Sequence, residues 1–244
     1  MTEAINHKMT ISNCGDSGIL VEFSLEFTEL AWKKTLYLSS CLKRVALPGI
    51  LSIIPAYASV FVQYNCLQIS GTQLKVLMEE MMNHFEESED LFTDTQLFRV
   101  PVLFNEEAGK DLTLVAEELG ITQEQVVALF CSKKYTVICI ASPAGVPLLD
   151  SPPFSKKVSR LKTPRTHVPS GSIALSASQA NVYTLDSPGG WKIIGRTPIS
   201  FIDLTQMPPI SYKPGDSIEF FPISEEDYEK YKGKSMEEMK VNDA

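Results

Sequence analysis

The sequence lacks the features that would indicate a membrane protein, a disulfide framework or a nucleic-acid partner. No apolar run is long enough to cross a bilayer, and the start, MTEAINHKMT, has no signal-peptide core. The five cysteines are scattered and show no CxxC spacing, so we expect buried free thiols in a reducing cytoplasm. Lys and Arg number 22 against 30 Asp and Glu, and the net charge of −8 argues against nucleic acid or an anionic membrane as a partner.

The motifs of common catalytic sites are also missing. The sequence contains no P-loop, no GxGxxG, no HExxH and no GxSxG. The histidines, His7, His84 and His167, are far apart and have no metal-ligand spacing, so we expect no metal site. No nucleophile and base stand at a recognisable spacing, and the sequence therefore assigns no catalytic residue.

The first part of the chain alternates between predicted strands and predicted helices. Strands are predicted at 18–23, 50–54 and 59–64, and amphipathic helices at 25–44 and 72–85. This order predicts a small α/β domain of the split βαβ kind over residues 1–95. The acidic, polar segment 86–96 predicts a domain boundary or a loop.

The rest of the chain is richer in short strands. A strand at 98–104 precedes a helix from Asp111 to Gly120 and a second helix that begins at Thr122, where Thr122 and Gln125 fit a capping box. A strand at 135–140 and many short strands and turns predict a β-barrel domain over 96–223. The charged tail 224–244 predicts a solvated helix or a frayed end, and the fold class is α+β.

The polar segment 163–198 carries the candidate ligand-binding residues. Arg165 and Arg196 each present a planar fork that suits a carboxylate or phosphate. Gln179 offers a donor and an acceptor to an amide or lactam. The alternative for each is structural, with the arginines paired to Asp186 or Asp203 and Gln179 bonded to a loop.

The run that ends this segment is the second candidate. Glycines after Pro188 let backbone amides approach a ligand, and Trp191 could form a pocket wall or lie in the core. The full set of predicted binding residues is Arg165, His167, Gln179, Pro188, Gly189, Gly190, Trp191 and Arg196.

Three motifs carry a resemblance to a known family. The chain reads GDSGILVEF at 15–23, PAYASVFV at 55–62 and SPGGWKIIGRTP at 187–198. With these motifs it resembles the B subunit of bacterial ATP-dependent 5-oxoprolinase. The relatives of that protein include the sporulation kinase A inhibitor and allophanate hydrolase subunit 1, all of them carboxyltransferase-domain proteins.

The resemblance implies a fold and a role. The fold is a small α/β domain joined to a cyclophilin-like β-barrel. The role is that of a hydrolase component, which works with the A and C subunits and with ATP to open 5-oxo-L-proline to L-glutamate. On this basis we expect the ligand to be a small carboxylate or lactam. We expect Arg165 to bind the carboxylate of this ligand, and Gln179 with the backbone amides of Gly189 and Gly190 to orient the lactam.

Departures from the family pattern keep two other roles open. Three family aromatics are replaced by Ser142, Val146 and Leu148, and a common upstream histidine is replaced by Phe130. A binding module could discard catalytic loops, so one alternative is a regulator that binds a sensor histidine kinase and inhibits its autophosphorylation. The other is a non-catalytic or drifted component of an allophanate hydrolase-like amide hydrolase.

Overall fold

The chain forms two compact units, each with its own hydrophobic core. The computed structural model describes residues 9–87 and 94–241. The units are Met1–Thr93 and Asp94–Ala244, and the division falls within the acidic segment 86–96. Neither described range contains a helix with the length and apolar character needed to cross a membrane.

The first unit is a four-stranded antiparallel sheet with two helices. Its elements are β1 (Thr10–Asn13), β2 (Gly18–Glu22), α1 (Glu29–Val45), β3 (Ile50–Pro55), β4 (Ser59–Tyr64) and α2 (Gly71–Asn83). The sheet order is β1-β2-β4-β3, with antiparallel neighbours throughout. β2 and β3 therefore run parallel on either side of β4, which is the split βαβ arrangement that the sequence predicts.

Both helices of this unit begin at side-chain caps. The Thr28 hydroxyl accepts the amide of Ala31 at 3.1 Å at the start of α1, and Ser70 with Gln73 forms a capping box at the start of α2. The apolar stripes of the helices join the sheet in one core. Its fully buried members include Ile19, Val21, Leu38, Val60, Val62, Leu74 and Met78.

The second unit is built on a closed barrel of seven strands. Its elements are β5 (Leu97–Leu103), α3 (Leu112–Leu119), α4 (Gln123–Phe130), β6 (Lys134–Ala141), β7 (Val146–Leu149), β8 (Arg165–Val168), β9 (Ser172–Ser176), β10 (Gln179–Val182), β11 (Ser187–Gly189), β12 (Lys192–Arg196), β13 (Ser217–Ile223) and α5 (Glu225–Tyr231). The barrel order is β10-β7-β6-β13-β5-β12-β9, and β8 pairs with β11 outside it. This architecture confirms the predicted α+β class with a cyclophilin-like barrel.

Three aromatic side chains pack together in the core of the second unit. The Phe130 ring centroid lies 5.0 Å from that of Tyr135 and 5.1 Å from that of Phe220, and the Tyr135 hydroxyl donates to the Phe130 carbonyl at 2.9 Å. Burial raises the pKa of Tyr135. Phe130 closes α4, whose predicted Thr122–Gln125 capping box is confirmed. The position of the expected family histidine therefore belongs to the core in this chain.

The C-terminal segment is attached to the barrel through apolar and backbone contacts. Met236 is buried, and the Val241 amide donates to the Leu97 carbonyl at 2.8 Å. The Phe221 and Tyr231 rings meet edge to face with centroids 6.1 Å apart. The predicted helix is present as α5, but the described residues that follow it are not frayed. Charge composition does not reveal these few apolar anchors.

The cysteines are all free thiols, although most of them are not buried. Cys139 is buried, whereas Cys14 and Cys66 are exposed in turns that flank β2 and β4. Burial raises the pKa of Cys139 to about 11 and that of Cys131 to about 12. The expectation of buried thiols is therefore wrong for Cys14 and Cys66, because turn positions cannot shield a side chain.

Candidate ligand-binding site

A cleft of about 400 Å³ lies in the second unit, between the β5–α3 loop, the β8 strand and α5. This size falls within the usual range for a small-molecule site. Its polar lining residues are Asn105, Glu107, Lys110, Arg165, His167, Ser172, Arg196, Glu225, Tyr228 and Glu229. Its apolar lining residues are Leu103, Ala108, Val168, Pro169 and Ile193. The cleft therefore combines charges of both signs with an apolar surface.

Arg165 is held in the cleft by a buried carboxylate. Its two terminal nitrogens donate to the two oxygens of Asp111, each at 2.7 Å. Asp111 is 1 % exposed and also accepts the Ile193 amide at 2.8 Å. The bonds to Asp111 raise the pKa of the Arg165 guanidinium. Arg165 therefore presents a fixed positive edge, while its bidentate fork is already occupied.

Arg196 has a different arrangement. Its Nε donates to the Ser170 carbonyl at 3.0 Å, and no other partner is found for its guanidinium within residues 9–87 and 94–241. Arg196, the last residue of β12, pairs with Ser172, the first residue of β9. One anchored nitrogen and two available terminal nitrogens suit a bidentate bond to a ligand carboxylate.

His167 stands at the exposed edge of the cleft. Its Nε2 lies 3.8 Å from the Asp186 carboxylate, and both side chains are more than half exposed. Asp186 also accepts the Ser170 amide at 2.7 Å. The pair is solvated, so its contribution to stability is small. His167 can therefore contact a ligand at the edge of the cleft without any change in the packing of the hydrophobic core.

Acidic residues line the face of the cleft formed by α5. Glu225 begins α5, and its Oε1 accepts the Asn105 side-chain amide at 2.7 Å. Asn105 in turn accepts the Ala108 amide at 2.8 Å through its side-chain oxygen. Glu229 is paired with Lys232 at 3.0 Å. The bond between Asn105 and Glu225 thus fixes α5 against the β5–α3 loop.

Gln179 lies away from the cleft. It begins β10 and pairs with Ser176, whereas the cleft contains Ser172 at the other end of β9. Four strand steps separate these two serines, which is about 13 Å at the usual rise per residue. The β9–β10 hairpin therefore carries Gln179 to the opposite end of the barrel from Arg196, and its binding role stays a prediction.

The glycine run also lies outside the cleft lining. Gly189 pairs with Arg165 across β11 and β8, and a Cβ placed there would overlap the Tyr183 hydroxyl. Trp191 packs on a small buried cluster that includes Tyr183. Pro188 is exposed, and the Gly190 carbonyl accepts the Leu161 amide at 2.8 Å. These contacts give the run a packing role, and its binding role stays a prediction.

Three of the residues that the sequence predicts as ligand-binding line the cleft: Arg165, His167 and Arg196. Other residues of the cleft are not predicted from the sequence. The most important missed residue is Asp111, which the sequence identified only as a helix start. Its spacing from Arg165 is 54 residues, so no local pattern links the two. The α5 side chains were missed because a charged segment is typical of a solvated surface.

Comparison with known proteins identifies the family. A model of the carboxyltransferase domain, subdomain C and D, matches residues 9–212. The chain belongs to this carboxyltransferase-domain family. The resemblance drawn from the sequence motifs is thereby confirmed.

Two bacterial relatives match this carboxyltransferase-domain chain over nearly their whole length. It is 32 % identical to the 5-oxoprolinase B subunit of Escherichia coli O157:H7, covering 86 % of this chain and 94 % of the relative. It is 28 % identical to the 5-oxoprolinase B subunit of Bacillus subtilis strain 168, covering 92 % and 97 %.

Solved structures share the fold of this carboxyltransferase-domain chain. TTHA0988 superposes with a TM-score of 0.74 at 28 % identity, over 85 % of this chain and 40 % of that protein. The chain thus spans about 40 % of the length of TTHA0988. The Kluyveromyces lactis urea carboxylase gives a TM-score of 0.75 at 21 % identity, over 93 % of this chain and 23 % of that protein, which indicates a shared fold.

Proposed function

We propose that this chain is the B subunit of an ATP-dependent 5-oxoprolinase, which opens 5-oxo-L-proline to L-glutamate together with the A and C subunits. The relative from Escherichia coli, covered over 94 % of its length, is a 5-oxoprolinase B subunit by name. The observation that carries the proposal for this chain is the cleft around Arg196. A guanidinium with available terminal nitrogens is what a small carboxylate requires.

In this proposal Arg196 binds the carboxylate of 5-oxo-L-proline. Arg165 contributes positive potential from its fixed position beside Asp111. Its bidentate hydrogen bonds go to Asp111 and not to the ligand. The apolar side chains of Leu103 and Ile193 contact the ring. Lys110 and the Tyr228 hydroxyl are the donors available to the lactam carbonyl, since both line the same cleft.

The ATP-dependent step belongs to the assembled complex in this proposal. The Ser172 hydroxyl donates to the Pro169 carbonyl at 2.7 Å, so it is not activated by a base. Three carboxylates line the cleft, on Glu107, Glu225 and Glu229. Glu107 and Glu225, which form no ion pair within the described residues, would repel a triphosphate, so the cleft suits the small lactam better than ATP.

Reconstitution of the complex tests this function. The purified chain is combined with candidate A and C subunits, and L-glutamate formed from 5-oxo-L-proline is measured with and without ATP. We expect turnover that needs both ATP and this chain. Equal turnover without this chain, or none with all three proteins present, would rule the proposal out.

A further inference from the structure

Negative charge in the cleft has no counterpart in a lactam. The basic groups of the cleft are Arg196 and Lys110, whereas α5 contributes Glu225 and the β5–α3 loop contributes Glu107. Because Arg165 is already paired with Asp111, these two carboxylates exceed the single charge of Lys110 once a ligand carboxylate is bound at Arg196. 5-oxo-L-proline carries one carboxylate and an uncharged lactam nitrogen. A ligand that matched both sides of the cleft would carry a cationic group as well as a carboxylate.

Two of the acidic side chains form no ion pair within residues 9–87 and 94–241. Glu225 accepts a hydrogen bond from the Asn105 amide, which is neutral, so this contact fixes the carboxylate without cancelling its charge. Glu107 has no ion pair within the described part of the chain. Glu229 differs, because Lys232 holds both of its oxygens at 3.0 Å.

The Glu225 carboxylate is positioned by a tightly packed loop. The Asn105 carbonyl accepts the Gly109 amide at 2.7 Å, and its side-chain oxygen accepts the Ala108 amide at 2.8 Å. A Cβ on Gly109 would overlap the Ile194 carbonyl, so the loop lies directly against β12. The loop, strand β12 and α5 therefore place Glu225 and Arg196 around the same cleft.

The acidic face formed by α5 follows the residues that the family model matches. The family model ends at residue 212, whereas α5 spans Glu225–Tyr231. Strand β8, which carries Arg165, and the barrel strand β12, which carries Arg196, lie inside the matched region. The acidic groups and the arginines of the cleft therefore come from different parts of the chain.

We propose that the cleft binds a zwitterionic α-amino acid, with its α-carboxylate at Arg196 and its ammonium group between Glu107 and Glu225. The identity of that amino acid rests on the proposed function, in which ring opening converts the lactam nitrogen to the ammonium group of L-glutamate. Ring opening also creates a γ-carboxylate, for which Lys110 is the basic group available in the same cleft. We expect the cleft to hold the ring-opened product more tightly than the lactam.

Calorimetric titration tests this preference with three ligands. L-glutamate, 5-oxo-L-proline and glutarate, which lacks the ammonium group, are titrated into the full chain and into the reconstituted complex. We expect L-glutamate to bind at least about tenfold more tightly than either other ligand, because it alone forms the charge-assisted bond to Glu225. Glu225→Gln retains an acceptor for Asn105 and should reduce this preference to about threefold or less.

A matched variant controls for helix charge. Glu226→Gln removes the same charge from α5 at an exposed position that pairs with Lys230 at 3.3 Å and does not line the cleft. It should keep the wild-type preference. Equal affinity for L-glutamate and glutarate, no binding in either preparation, or the same preference in Glu225→Gln would overturn the inference. Turnover of 5-oxo-L-proline by a complex that shows one of those binding results would overturn this inference alone, leaving the proposed function intact.

Discussion

Asp111 organises the base of the cleft through three hydrogen bonds to one carboxylate. It accepts both terminal nitrogens of Arg165 and the amide of Ile193, and it precedes α3. Four parts of the second unit meet there: the β5–α3 loop, α3, β8 and β12. Asp111 therefore both stabilises this part of the second unit and fixes the position of the Arg165 charge in the cleft.

Substitution of Asp111 should be costly. Asp111→Asn leaves Arg165 without its charge partner and turns an acceptor into a donor that faces a guanidinium. Because Arg165 is 29 % exposed and water can screen part of its charge, we expect a loss of about 2–3 kcal/mol in unfolding free energy. Urea denaturation measures it, with Glu117→Gln on the exposed face of α3 as the control. A loss below about 0.5 kcal/mol would contradict this role.

Thiol reactivity should separate the cysteines by burial. At pH 8, Cys14 and Cys66 should react rapidly with a disulfide reagent, while Cys131 and Cys139 react only after unfolding, because thiolate is the reactive form. The raised pKa of Cys131 keeps it protonated in the folded chain while the unfolded thiol ionises. Stability should therefore fall as pH rises from about 9 toward 12. Rapid reaction of all five thiols at pH 8 would contradict the burial.

At the scale of elements, the sequence predicted most helices and strands because periodicity and caps are local signals. The strand Ser59–Tyr64 and the Thr122–Gln125 capping box are examples. Strand β1 was missed because Thr10–Asn13 has a single apolar residue, and its pairing with β2 is what makes it a strand. Gln179 lies in the same polar segment as Arg196, whereas strand pairing places the two residues at opposite ends of β9.

The β11 strand offers a steric test. In Gly189→Ala the new Cβ would overlap the Tyr183 hydroxyl, so β11 or the tyrosine must move. We expect a loss of about 1–3 kcal/mol in unfolding free energy. Gly190→Ala is the control, since its Cβ would lie 3.4 Å from Pro164. Adding Tyr183→Phe should recover part of the loss, and equal stability of the two alanine variants would contradict the packing.

At the scale of the whole molecule, the division into two units places the entire cleft in one of them. Every lining residue falls between Leu103 and Glu229, inside the unit Asp94–Ala244. That unit also contains its own buried core and the closed barrel. Binding should therefore be a property of the second unit alone.

A fragment of residues 94–244 should fold and bind. We expect one cooperative thermal transition by circular dichroism and an affinity for L-glutamate within about threefold of that of the full chain, since no cleft contact is lost. The fragment carrying Arg196→Gln is the binding control. A folded fragment that has lost affinity would show that the first unit contributes to the site.

The most direct test of the central claim is the KM for 5-oxo-L-proline of the reconstituted complex when this chain carries Arg196→Gln. If Arg196 binds the substrate carboxylate, KM should rise about 100-fold while kcat stays within about threefold, as expected for loss of uniform binding by a charge-assisted pair. Arg99→Gln removes an exposed barrel arginine outside the cleft and should leave both constants unchanged. An unchanged KM in Arg196→Gln would contradict the assignment of this cleft as the substrate site.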